Sequence, residues 1–113
     1  MSEDNCMYIF VNNNLNMSKG KIASQVGHVV LMIVEHLLNN KKSQEYYKYQ
    51  EWKKNGQTKI ILKATENDLM ELIKLPESKY VIDHGKTEIT PNSLTVVGFF
   101  PNIHREFKKF PLL

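Results

Sequence analysis

A chain of 113 residues that is 42% hydrophobic, 24% charged and 10% aromatic has the composition of an ordinary globular domain and is too short for a two-domain enzyme. We read residues 1–113 as one domain. Cys6, the only cysteine, can form no internal disulfide and cannot by itself build a zinc or iron-sulfur site, which points to a reducing compartment. No unbroken apolar run, Cys6 to Val11 included, is long enough to span a bilayer, and Glu3 and Asp4 stand where a signal peptide needs a basic end. A cytoplasmic protein without membrane association is therefore expected.

The net charge of +3 matters through its distribution. Lys41 to Lys63 holds seven lysines against Glu45 and Glu51, whereas Glu66 to Glu77 holds four acids against Lys74. The basic stretch carries Tyr46, Tyr47, Tyr49 and Trp52. Such a pattern suits a polyanion such as RNA, but taken alone it favours a solvated helix face whose aromatics pack inward. Fourteen of the fifteen basic side chains are lysine, so the bidentate arginine fork that reads bases is nearly absent and sequence-specific recognition is not expected.

Residues 6 to 11 lack alternation, which predicts a central strand covered on both faces. Asn12, Asn13, Asn14 and Asn16 form a polar turn, and Ser18 is placed as the N-cap of a long helix. Its apolar stripe runs Ile22, Val26, Val29, Val30, Ile33, Val34 and Leu37, and Asn39-Asn40 ends it. A second helix is predicted from about Ser43 to Lys54, stopped by Asn55-Gly56. A strand over Thr58 to Ala64 and a helix over Glu66 to Leu75, ended by Pro76, come next. Strands over Lys79 to Ile82 and Leu94 to Phe100, joined through Pro91-Asn92-Ser93, and a terminal helix over Ile103 to Phe110 complete the chain. This alternation predicts an α/β fold: a three-layer α/β/α sandwich around a four-stranded, mixed but mostly parallel sheet, its last two strands antiparallel.

On the long helix Lys21, Gln25, His28 and Met32 share a second stripe. Ser18-Lys19-Gly20-Lys21, beside unpaired helix N–H groups, makes a phosphate seat. The plainer reading has exposed lysines, a solvated Gln25 and a surface or half-buried His28. A second polar cluster, Asp83-His84-Gly85-Lys86-Thr87, follows the third strand, where parallel sheets bind ligands, so the two clusters are expected to meet at one sheet edge. A carboxylate, a histidine, a hydroxyl and lysines gathered there suit hydrolysis. The competing reading is a polar turn in which Asp83 and Thr87 satisfy backbone groups and Gly85 supplies a positive φ. His28, His36, His84 and His104 have no metal-ligand spacing, neither a P-loop nor GxGxxG occurs, and Ser24 and Ser93 lie in no nucleophile elbow.

The stretch Met17 to His28 (Met-Ser-Lys-Gly-Lys-Ile-Ala-Ser-Gln-Val-Gly-His) closely resembles the GKxAxQxxH signature of type II peptidyl-tRNA hydrolases. Asp83 to Thr87 resembles that family's DxGxT element, and Pro91 to Gly98 its PGSxTVLG strand. Three motifs in order over roughly residues 7 to 101 make the match specific. The resemblance implies hydrolysis of the ester joining a peptide to the 3′ ribose of tRNA, with peptidyl-tRNA as partner and no metal or cofactor; the sequence leaves monomer and homodimer both open. It implies that Lys21, His28, Asp83 and Thr87 are catalytic. Lys19, Gln25, Lys86, Ser93 and Thr95 would bind substrate, Lys19 and Lys86 near tRNA phosphates. His28 is the first candidate base, with Lys21 second because an ammonium must first lose its proton. His84, Glu88, Gly27, Val29 and Phe99-Phe100 depart from the family pattern without removing a catalytic group; His84 adds another candidate base. The alternatives are a non-catalytic RNA-binding or adaptor protein that keeps the fold, and a small interaction module.

Overall fold

The computed structural model describes residues 5–85 and 92–113. Strand β1, Met7–Asn12, is buried at every position, as its unbroken apolar sequence requires. Helix α1, Lys19–Leu38, starts where the Ser18 hydroxyl accepts the Lys21 N–H at 3.2 Å. Helix α2, Gln44–Lys54, begins the same way on Ser43. After β2, Lys59–Ala64, a reciprocal Thr65/Asp68 capping box starts α3, Glu66–Leu72. Strands β3, Ser78–Asp83, and β4, Ser93–Phe99, follow.

Two expected helices are shorter in the structure. Helix α3 stops at Leu72 instead of Leu75, because Pro76 disfavours helical backbone before it and Glu77 turns at φ +62°. The expected terminal helix is a 3₁₀ segment, Arg105–Lys109, too short for a ladder of its own and anchored by buried Phe107.

The sheet order is β2-β1-β4-β3. Strand β1 is parallel to β2, while β4 is antiparallel to both β1 and β3. The expectation of a mostly parallel sheet holds for strand direction, which β1, β2 and β3 share, but not for pairing. Because β4 lies between β1 and β3, only the β1–β2 pair is parallel.

Two cores flank the sheet, as a three-layer sandwich requires. On one face Val29, Ile33 and Leu37 of α1 and Tyr49 and Trp52 of α2 pack on Ile9, Val11 and Val96. On the other, Leu69 and Leu72 of α3 and Phe107 pack on Tyr8, Phe10, Val97 and Phe99. Helix α1 is long and apolar enough to cross a membrane by length and composition alone, but it is the central covering helix of this sheet. Its close seat depends on Gly98, where an added Cβ would lie 2.9 Å from Ile33 Cδ1 and 3.0 Å from Val29 Cγ2. Tyr49 and Trp52 take the inward role, the Trp52 indole N–H donating to the Thr58 carbonyl at 2.8 Å, while Tyr47 stays exposed.

The C-terminal ends of β1, β2 and β3 form one edge of the sheet, where α1 begins and β4 starts. Buried Asn12 ties this edge together: its amide donates to Glu66 Oε1 at 2.7 Å and to the Leu94 carbonyl at 2.8 Å, and its Oδ1 accepts the Asn14 N–H. A buried amide so fully bonded holds the loops around it in one arrangement.

Candidate active site

Residues 21, 25 and 28 rise along one face of α1 at helical spacing, and that face meets the end of β3. A cavity of about 400 Å³ lies between them, lined by Lys21, Ser24, Gln25, His28, Val81, Ile82, Asp83 and His84. The expected meeting of the two polar clusters occurs here: Lys21 Nζ lies 2.7 Å from Asp83 Oδ1, and both side chains are about nine-tenths covered, at 8% and 10% exposure.

The other oxygen, Asp83 Oδ2, accepts the Gly85 N–H at 2.8 Å across a turn in which Gly85 has φ +76°. The plainer reading of this segment, a carboxylate satisfying its own turn, is thus also realised; it is what aims Asp83 at Lys21. The Lys21 hydrogen bond, followed by that of Gly85, holds the Asp83 carboxyl below its usual range against the opposing effect of burial. Asp83 is therefore a fixed anion at neutral pH.

Gln25 is buried at 3% exposure and its Oε1 accepts the hydroxyl of fully buried Thr95 at 2.5 Å. Thr95 reaches it through a bulge: Val81 pairs with Val96 but Ile82 pairs with Leu94, which makes Thr95 the extra residue. Bulges re-aim side chains next to sites, and this one turns a strand hydroxyl toward α1. Thr95 lies beneath Gln25 and does not line the cavity. His28 is exposed at the cavity and forms no hydrogen bond with a described residue, whereas Asp83 is committed to Lys21 and Gly85. Lys19 is exposed on the first turn of α1, and Ser93 opens β4 opposite Asp83. Lys86 and Thr87 lie outside the described residues. Ser24, set aside in the sequence as a nucleophile, lines the cavity one turn from Lys21, and Val81 and Ile82, which no local signal in the sequence marks, line it from β3.

A lysine–carboxylate pair beside an imidazole that bonds to no described residue, in a cavity at the end of an α/β sheet, suits acid–base or electrostatic catalysis. The family model described as "Peptidyl-tRNA hydrolase PTH2" matches residues 5–111. Relatives named "Peptidyl-tRNA hydrolase" from Saccharolobus islandicus (strain L.S.2.15 / Lassen #1), Saccharolobus solfataricus and Sulfurisphaera tokodaii are each 34% identical to the chain over 102 residues. Each match covers 84% of this chain and 84% of the relative. The chain belongs to the peptidyl-tRNA hydrolase PTH2 family.

Proposed function

We propose that this chain hydrolyses the ester between a peptide, or an N-blocked amino acid, and the 3′ ribose of tRNA, and so recycles peptidyl-tRNA. The observation that carries the reading at the level of chemistry is the Lys21–Asp83 pair at 2.7 Å, facing a cavity into which His28 also opens. Ester hydrolysis needs an activated water and a countercharge for the tetrahedral oxyanion, and a ribose oxygen leaves with less proton assistance than an amine. His28 takes the proton from water. Lys21, with the N-terminus of α1, balances the oxyanion or the terminal phosphate. Asp83 positions Lys21. Its Oδ1 accepts from the Lys21 ammonium and its Oδ2 from the Gly85 N–H, so it aligns the cation directly, with acceptor capacity left for the water.

Thr95 occupies Gln25 Oε1 and leaves the Gln25 amide donors for substrate. From the family pattern we assign Thr87 to holding the water or ester, Lys19 and Lys86 to tRNA phosphates, and Ser93 to the strand end beside them. The enzyme works in the cytoplasm as a single domain over residues 1–113, as a monomer or homodimer, without a metal.

The test is release of N-acetyl-amino acid from tRNA, with and without EDTA, beside a free aminoacyl-tRNA control. Asp83→Ala and His28→Ala are each expected to lower kcat/KM by roughly 10²-fold or more, with release by the parent protein unchanged in EDTA. Tight tRNA binding without release would overturn the reading in favour of a non-catalytic binder. Full activity in His28→Ala would remove His28 as the base.

A further inference from the structure

We propose that the outer edge of β3 binds the peptidyl part of the substrate as an added parallel strand, reading its backbone in place of its side chains. The inference rests on the hydrolase reading above and extends it to how peptides of any sequence are accepted.

The sheet has two edges, and the chain treats them differently. At β2 the C-terminal residues close the edge: the Lys63 N–H donates to the Pro111 carbonyl at 2.8 Å, the Leu113 N–H donates to the Ile61 carbonyl at 3.0 Å, and Leu62 bridges Leu112. At β3, among the described residues, no segment pairs with the outer side. Open edges invite strand addition, and proteins generally cover or blunt them. Here the open edge belongs to the strand whose last residue is Asp83.

The unpaired groups can be identified. The Val81 carbonyl faces β4, 3.2 Å from the Thr95 hydroxyl, and the Asp83 carbonyl accepts the Asn92 N–H at 2.6 Å. Strand alternation then turns the N–H and C=O groups of Tyr80 and Ile82 outward. Their side chains are 44% and 37% exposed, so apolar surface flanks the free backbone groups. The segment is rich in strand-forming residues and contains no proline that would delete a donor.

The occupant follows from chemistry and direction. Peptidyl-tRNAs share a peptide backbone but no side-chain sequence, and strand addition recognises backbone. The scissile ester is the C-terminus of the peptide and must lie at the cavity beside Asp83, so the peptide runs back along Ile82 toward Tyr80, parallel to β3. At about 3.3 Å per residue, this stretch engages the last three or four residues of the peptide.

The test uses N-acetylated peptidyl-tRNAs of one to six residues and versions N-methylated at single peptide positions. Expected is a kcat/KM that rises over the first three or four residues and then levels, and a roughly 2- to 10-fold loss on N-methylation at alternate positions only. A separate binding arm uses N-acetyl-trialanine joined by an amide to 3′-amino-3′-deoxyadenosine, which the enzyme need not cleave. Hydrogen exchange at the Tyr80 and Ile82 amides should slow on its addition. Hydrolysis of N-acetyl-aminoacyl-tRNA with no gain from chain length and no protection would overturn the edge proposal and leave the hydrolase reading intact. Protection without hydrolysis of any peptidyl-tRNA would overturn the hydrolase reading while supporting peptide addition at the edge. Protection that grows with protein concentration alone would make a second copy of the chain the occupant and overturn the proposal.

Discussion

At Asp83 two donors, the Lys21 ammonium and the Gly85 N–H, act against burial and win, so the carboxyl ionises below its usual value near 3.8. The stability linked to that ionisation is present above this value and is lost as pH falls through the lower folded-state one. A second group whose burial couples its protonation to folding is His104. Its ring stacks on Phe107 at 4.7 Å and meets Tyr8 and Phe99 edgewise, and its buried Nε2 has no hydrogen-bond partner among the described residues. Burial pushes its pKa below the usual 6.5, only partly opposed by Glu106, whose carboxylate lies 3.7 Å from Nδ1, and by Glu77. The unfolded chain then takes up the proton more readily than the folded one, so stability is complete above that usual value and declines as pH falls below it. His104→Phe keeps an aromatic ring in the cluster and removes the proton site. Thermal melts between about pH 7.5 and 5.5 should show a falling Tm for the parent protein and a flatter dependence for the variant. Parallel slopes would exclude His104 as the source.

The element that matters most to the site is α1, because the inward row that buries Gln25, Val29, Ile33 and Leu37 against the sheet continues at its N-terminal end into Lys21, with His28 beside it at the cavity. Gly98 sets how closely it approaches β4. A methyl group there would press on Ile33 Cδ1 and both Val29 γ-carbons, and overpacking of this kind costs about 1–3 kcal/mol. Gly98→Ala is therefore expected to lower Tm by several degrees. Ile33→Val deletes the closest clashing carbon, so the double variant should be less destabilised than the sum of the two single ones, as a denaturation cycle would measure. Strict additivity would show that α1 shifts as a body instead. Much of this element level was legible in the sequence. The Ser18 cap and the helix starts near Ser43 and Glu66 are legible from local pattern, the capping roles of Ser43 and Thr65 emerge only in the structure, and β1 is apolar throughout because both its faces are covered. The meeting of Lys21 and Asp83 was also legible, since strands that share a direction bring their following loops to one edge. The insertion of β4 between β1 and β3 was not: pairing partners are chosen by packing across the whole sheet, and nothing local in Leu94 to Gly98 encodes them. The bulge that sends Thr95 to Gln25 depends on the register of two strands, and the Asp83 turn on a glycine conformation that equally serves a plain loop.

Across the whole molecule the charge is arranged around the sheet. Helix α3, with Glu66, Asp68 and Glu71, covers one face, while α1 and α2 cover the other. Helix α2 is fastened at the end of the sheet away from Asp83: the Asn5 amide donates to the Lys48 carbonyl, Lys48 Nζ donates to Asn102 Oδ1, and Asn102 pairs with Cys6 at the start of β1. Lys41 and Lys42 follow the C-terminus of α1, which is about 30 Å from its start at 1.5 Å per residue. These lysines lie too far away to touch the reacting ester, yet they share the α1/α2 side with Lys19 and Lys21. We propose that a tRNA whose 3′ end enters the cavity lays its body along α1 toward these lysines, away from the acidic α3. Phosphates bound by distant lysines add affinity that salt removes, and they leave the chemical step alone. Lys41→Gln/Lys42→Gln should raise KM for full-length peptidyl-tRNA and reduce the slope of log(kcat/KM) against log salt by about one for each phosphate no longer neutralised. For an N-acetyl-aminoacyl-CCA fragment too short to reach that end, kcat and KM should match those of the parent protein. Equal losses on both substrates would mean that the lysines act through the fold, and no loss on either would move the tRNA body off the α1/α2 side.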